Sequence, residues 1–563
     1  MLDYKPRWIA CWLVAAAAPS LLTAQAVIGK QGVPEEPGYW HVGDTHIHSQ
    51  HCLSTSVSFY DAFSTNELLA MMEEFGLEVG VAQFWNPTWE HVGISAFFDQ
   101  YASKITGQEI VGPGGAILQY GLEVSGFRAS QFGHVQVANI SDGSFDPELA
   151  HPGPILDHFR QQPGALTGYA HVHWAGLFEN YTSFPPFTDK IYPFMAPIDI
   201  ALNRVDFIEV LGANPASWRS LYYKLLNSGL RVALSAGSDN CADVIGYGRT
   251  HAMLASEPLT FEKWTEAVKQ GRTTVSFDAL EDREFLRFSV EGLAPGGQIN
   301  LDAPGSVALQ VTLEVESSAP GDDTLEIVKD GVVVASFALT VPESGSLQWN
   351  PTVEFQRSGW LSARTKNHHT GAVFVIVDEK PIARAKDADY WVRYTERFLE
   401  NLHAFNTIGA KSKVTKDIKE AGKIFRALRA YDSPLPENVL RHGTSSESPN
   451  GPIAMGVTGS FSEPSGEMPK VTVINAPSNE LGVLLFGVSI WPDGIPINGL
   501  VIYLDPTATS VLVPMQSNSG GYAEFPLVPP SGLQFLLFMQ SLWVKDWENT
   551  SWYASDVLAV GLE

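Results

Sequence analysis

Between about residue 40 and residue 280, short apolar runs alternate with amphipathic stretches, and this alternation constrains the fold more than any other feature. Strands are expected at Glu78–Gln83, Ala116–Val124, Gly133–Ile140, Gly168–His173, Asp206–Leu211 and Arg231–Ser235. Helices are expected at Thr65–Phe75, Pro215–Asn227 and Thr260–Gln270, with Asn227-Ser228-Gly229 stopping the second of these. Such alternation over roughly 240 residues predicts an α/β barrel or a doubly wound sheet.

The pattern changes after about residue 283. Short strands such as Phe285–Val290, Val307–Val315, Trp360–Arg364 and Val373–Val377 are split by Gly, Pro and Asp turns, and Lys329-Asp330-Gly331 signals a hairpin. The expected organisation is an export signal at 1–26, an α/β domain at 27–282 and a β-sandwich at 283–382. A helical segment at 383–430, a Ser/Pro/Gly-rich linker at 431–468 and a second β domain at 469–563 follow. In the signal, Lys5 and Arg7 precede an apolar core from Trp8 to Ala18, and Ala24-Gln25-Ala26 gives small residues for cleavage. That run is too short for a membrane span, so a secreted or periplasmic chain that is not membrane-embedded is expected. A net charge of -26 leaves no basic face for nucleic acid.

His46-Ile47-His48 ends the apolar stretch that begins at Tyr39. In a strand, residues i and i+2 face the same way, so both imidazoles address one spot. Neutral imidazoles side by side are ligands for zinc or a similar ion. Further donors stand at other strand ends: Glu123 after Ile117, His134 opening its strand, His171 closing another and Asp239 after Ala236-Gly237-Ser238. The carboxyl ends of parallel strands converge on one face, so distant donors can meet there. His173, Glu209, Asp44 and His51 read as supporting groups or as unrelated residues.

Taken in order, Gly43-Asp-Thr-His-Ile-His-Ser49, Gly121-Leu-Glu-Val124, Tyr169-Ala-His171 and Ala236-Gly-Ser-Asp239 resemble the motifs of the polymerase-and-histidinol-phosphatase (PHP) superfamily. Trp218–Asp239, Gly133-His134 and Gly359-Trp-Leu-Ser-Ala-Arg364 resemble more closely its CehA/McbA-like branch, named for carbaryl and carbamate-ester hydrolases. The resemblance covers roughly residues 40–400. It implies a distorted (β/α)7 barrel, PHP-like, with one or two divalent metal ions (Zn, Mn or Fe). His46, His48, Glu123 and Asp239 would hold one ion, and Glu123 would bridge to a second held by His134 and His171.

The departures from the family pattern are specific. Gln83-Phe84-Trp85-Asn86 stands where many relatives carry Asp-His, Cys241 replaces a histidine, and Ser54 falls near a third missing one. At most two ions are therefore expected. Cys241 reads as a zinc thiolate, as the disulfide partner of Cys52, or as packing. Arg249 reads either as a clamp on a substrate oxygen or as a barrel-closing ion pair.

The expected activity is hydrolysis of an ester, carbamate or phosphoester bond by a metal-activated water, with Asp239, Glu123 and Arg249 as the catalytic candidates. Phe84, Trp85, Trp89 and Trp174 would wall the site, with few cations beyond Arg249 and Arg128, which favours an apolar or aryl ester-like small molecule over a phosphoester. The alternative is a non-catalytic binding or surface protein on a degenerate barrel.

Overall fold

The computed structural model describes residues 28–31, 38–48, 63–86, 105–124, 132–145, 151–172, 193–212, 215–239, 245–278, 282–404, 411–436, 438–459, 468–497, 500–505, 507–508, 511–527, 535–546 and 551–562. The export signal, His51, Cys52, Trp89, Arg128, His173, Trp174 and Cys241 lie outside them, as does the side chain of Trp85.

These residues form a strand-rich α/β structure. Strand Tyr39–His48 pairs parallel with Val79–Asn86 and antiparallel with Arg249–Leu254. From Val79–Asn86 the sheet continues parallel to Ile117–Val124, antiparallel to Val135–Ala138, and antiparallel again to Leu166–Tyr169. It then runs parallel through Phe207–Val210 to Ala233–Ala236. Two successive reversals restore direction. All these strands therefore run one way except Val135–Ala138 and Arg249–Leu254, which run against the rest. One edge of the sheet thus gathers the carboxyl ends of the majority and the amino ends of the two reversed strands.

The sheet is mixed, and Ala233–Ala236 ends its run with a ladder on one side only. A closed barrel needs every strand paired on both edges. The described residues therefore show an α/β sheet but no closed barrel.

Helices cover the sheet where sequence and packing agree. Thr65–Glu74 starts at a reciprocal cap: Ser64 Oγ accepts from the Glu67 amide at 3.4 Å, and the Glu67 carboxylate accepts from the Ser64 amide at 2.7 Å. Its Leu68 and Met72 are fully buried. Pro215–Asn227 buries Trp218, Leu221, Tyr222, Leu225 and Leu226, and Gly229 beyond it takes φ 81°, the left-handed turn a glycine supplies at no steric cost.

The β-sandwich is not a separate body. Arg283–Val290, Gly305–Ser317 and Gly345–Trp349 form one layer. The layer sharing their core, which includes Gly321–Lys329, Val332–Val341, Gly359–Arg364 and Val373–Val377, belongs to the same sheet as the N-terminal strands. Thr273–Ser276 pairs with His368–Thr370 across this boundary. The hairpin turn is at Asp330-Gly331, both with positive φ (51° and 82°), which matches the twist of the paired strands.

Helices Ala385–Asn401 and Lys411–Asp432 stack Trp391 on Phe425 at 5.9 Å. They also dock on the N-terminal region, where Tyr394 Oη donates to the Phe194 carbonyl at 2.8 Å and Arg204 pairs with Asp417 at 2.8 Å.

Residues 431–468 correct the expectation of a linker. Val439–His442 pairs with Ser551–Leu562, and Ala454–Thr458 pairs with Lys470–Ile474, so this stretch opens the C-terminal β domain. Its small residues make turns between short strands, with Gly443 and Gly451 at positive φ, while Ile453 and Met455 are wholly buried. Among the described residues, no helix is long and apolar enough to cross a membrane.

Candidate metal centre

His46 and His48 end their strand with both rings buried and 4.8 Å apart between centroids, while Ile47 between them turns into a separate apolar cluster. Glu123 ends the strand two places away in the sheet. Its Oε2 is 3.2 Å from His46 Nε2 and 3.7 Å from His48 Nε2. Its Oε1 is 2.7 Å from His134 Nδ1 and 3.5 Å from His171 Nε2. One carboxylate therefore faces four imidazoles, two across each oxygen.

Asp239 completes the ring of donors. Its Oδ1 is 3.1 Å from His48 Nε2 and 3.4 Å from His46 Nε2, and its Oδ2 is 3.9 Å from His171 Nε2. Donors about 2.0–2.2 Å from a shared tetrahedral ion stand roughly 3.3–3.6 Å from each other, so these spacings fit divalent coordination. Donor atoms of His46, His48 and Glu123 lie within 4.8 Å of one another, as do those of Glu123, His134 and His171. All six residues named as metal ligands from the sequence meet here.

The strand directions explain the meeting. His46, His48, Glu123, His171 and Asp239 stand at or just past carboxyl ends. His134 immediately precedes Val135–Ala138, which is reversed, so its start falls on the same edge. His171 and Asp239 hold φ of 34° and 47°, a sparsely populated region for residues with side chains, which turns each donor back over the edge.

Asp44 fixes the Asp239 turn to the histidine strand. Its carboxylate accepts from the amides of His46 at 2.9 Å, Ser238 at 3.0 Å and Gly246 at 3.1 Å, and from the Ser238 hydroxyl. The Asp239 amide itself donates to the His46 carbonyl at 3.0 Å.

Glu209 supports the ring of His46 from behind. Its Oε1 and Oε2 are 3.0 and 3.1 Å from His46 Nδ1, and Gln136 Nε2 donates to Oε2 at 2.7 Å. A proton held on Nδ1 leaves the Nε2 lone pair for a cation. Sequence reading left Asp44 and Glu209 undecided and missed Gln136. Its signal was its position two residues after His134, which puts both on one face of the strand.

Electrostatics follow from this crowding. Burial opposes a charge on His46, but Glu209, Asp239 and Glu123 override it and hold its pKa well above the ordinary value. Burial likewise opposes the Glu123 anion, yet His46 and hydrogen bonds from His134, His171 and His46 keep it well below the usual carboxylate range. Asp239 is drawn down to about 2, against burial, by His46, His48 and His171. Burial pulls His134 below its ordinary value.

Other expected residues serve elsewhere. Gln83 is buried and donates to the Thr45 carbonyl at 3.2 Å. Phe84 does not belong to the expected aromatic wall: it is buried in the core and stacks on Tyr120 at 4.8 Å. Strand alternation aims it into the sheet's packed layer. Arg249 begins its reversed strand, buried, with Nη1 donating to the Asp282 carbonyl at 2.8 Å, which engages it with the sandwich junction.

No protein-family model and no curated protein matches this chain. Among solved structures, a red sea bream transglutaminase aligns at 10% identity over 59% of this chain and 41% of that one, with a TM-score of 0.13. The chain thus spans well under half of that protein, and so slight a likeness carries no inference about fold or activity.

Proposed function

We propose that this chain is an exported, metal-dependent hydrolase of the PHP superfamily, CehA/McbA-like, built on a distorted (β/α)7 barrel and cleaving an ester, carbamate or phosphoester bond. The observation that carries this reading is Glu123, whose two oxygens each face a pair of imidazoles. A single buried carboxylate among four histidine rings suits bridging between two cations far better than it suits packing.

His46, His48, Glu123 and Asp239 would hold one ion, and Glu123, His134 and His171 a second. When bound, a divalent cation supplies Lewis-acid polarisation of a carbonyl or phosphoryl oxygen and lowers the pKa of water from 15.7 to about 7. The protein's own part is orientation and proton handling. Glu209 and Gln136 fix the His46 ring, and Asp44 fixes the turn that presents Asp239. The Asp239 side chain is 22% exposed, more open than that of Glu123, so it is the group placed to exchange a proton at the mouth of the cage. Arg249 is assigned to the sandwich junction rather than to substrate.

The test is metal content together with turnover of aryl ester, carbamate and phosphoester substrates. This centre is expected to carry one or two equivalents of Zn, Mn or Fe, to lose turnover on chelation, and to lose its own metal and turnover in His48→Ala. A fully loaded protein inert to every member of the panel would overturn the hydrolase reading.

A further inference from the structure

A second set of donors stands where the N-terminal sheet meets the sandwich. Asp278 follows the strand Thr273–Ser276, Glu284 lies in Arg283–Val290, and His368 opens His368–Thr370. The ladder between Thr273–Ser276 and His368–Thr370 sets Ser276 opposite His368, which carries Asp278 beyond the strand end toward the same ring. All three side chains are buried, and their donor atoms lie within 4.8 Å of one another. None belongs to the cage around Glu123.

The geometry is that of groups facing a common point. His368 Nε2 and Asp278 Oδ2 are 3.1 Å apart, with both side chains fully buried. Yet neither carboxylate oxygen of Asp278 nor Nε2 of His368 has an aligned hydrogen-bond partner. The far sides of the other two groups are engaged. Thr365 Oγ1 stands 3.0 Å from His368 Nδ1, and the Ser318 hydroxyl donates to Glu284 Oε1. This leaves His368 Nε2 and both oxygens of Asp278 for the interior, with Glu284 beside them.

A buried carboxylate held only by one ion pair is costly, and two carboxylates against one imidazole leave excess negative charge. Arg249 lies close enough for its charge to be felt by Asp278, but its Nη1 is donated to the Asp282 carbonyl. A divalent ion would satisfy all three groups at once, and two carboxylates with an imidazole form a donor set suited to zinc or manganese.

We propose that Asp278, Glu284 and His368 bind a divalent first-row metal ion that pins the sandwich to the N-terminal sheet, separate from the centre around Glu123. Each ligand comes from a different segment, so the ion would tie together the end of one domain, the first strand of the next and a later hairpin.

The test counts zinc on the full-length chain after chelator stripping and dialysis against Zn2+. His368→Gln is expected to hold one equivalent fewer than the wild type, and equal stoichiometry would overturn the proposal. Should His368→Gln not fold, the triple variant His46→Ala/Glu123→Gln/His134→Ala decides, because it disables the first cage and keeps the second. One equivalent on that variant, with a thermal midpoint raised by zinc, supports the site, and none overturns it. Failure of the hydrolase reading would look different: zinc would then be absent from the first cage while one His368-dependent equivalent remained.

Discussion

Glu209 and Glu123 address opposite nitrogens of one ring, with Glu209 Oε1 3.0 Å from His46 Nδ1 and Glu123 Oε2 3.2 Å from His46 Nε2. The imidazole is thus held by a second carboxylate on the side of the ring turned away from Glu123. This arrangement fixes the orientation of the ring before any cation arrives.

Glu209→Gln keeps the shape of that side chain but removes the anion behind His46. Losing such a support typically weakens metal affinity by about 10–100-fold. Competition against a chromophoric chelator measures it. An affinity equal to the wild type's would show that Glu209 merely packs.

Metal loading is expected to release protons near neutral pH. The His46 pKa in the metal-free protein is raised, as Glu209, Asp239 and Glu123 overcome burial, so the ring keeps its extra proton to a higher pH than a free imidazole does. A cation must displace that proton, and affinity therefore falls as the medium is acidified below the raised value. Calorimetric titrations in two buffers of different ionisation enthalpy read the proton count. Identical heats would contradict it.

Gly237→Ala should loosen the centre without touching a ligand. A Cβ there would lie 2.7 Å from the His46 amide nitrogen and 2.5 Å from the His46 Cβ. Overpacking of this kind costs about 1–3 kcal/mol, and relief requires the Asp239 turn to move off the histidine strand. Both the thermal midpoint and the metal stoichiometry are expected to drop together.

Lys224 makes stability rise with alkalinity. Burial draws its ammonium down to about 7 in the folded chain, helped by the nearby charge of Lys386, whereas an unfolded lysine titrates near 10.4. Between those values the unfolded state binds more protons, so stability climbs with pH and the burial penalty is largest below pH 7. Lys224→Met should therefore stabilise most at pH 6 and least near pH 10, as read by urea midpoints. A gain independent of pH would point to packing instead.

The donors of the centre were legible because each chemistry-bearing residue sits at a strand terminus. Period two puts His46 and His48 on one face, and Glu123 and Asp239 close apolar runs. What could not be read was direction. Val135–Ala138 is four residues long, and nothing in its composition tells a reversed strand from a forward one, yet only reversal brings His134 to the right edge. Residues 439–458 were misread as a linker because turn glycines and short strands have the composition of a flexible tether. Asp278, Glu284 and His368 escaped notice because their proximity depends on a ladder between distant segments, which no local pattern announces. Phe84 misled for the opposite reason: an aromatic beside a site motif is more often facing the core than the ligand.

The ladder between Thr273–Ser276 and His368–Thr370 has a consequence for how such a chain can change over time. Cutting after residue 282 would strip a hydrogen-bonded neighbour from Thr273–Ser276 and leave a raw edge exposed to any passing chain. The N-terminal half is therefore not a portable cassette. Insertions that respect this seam can accumulate in the outer loops of the sandwich, whereas wholesale exchange of that module would disturb the ladder that runs through Arg249–Leu254 to the strand bearing His46 and His48.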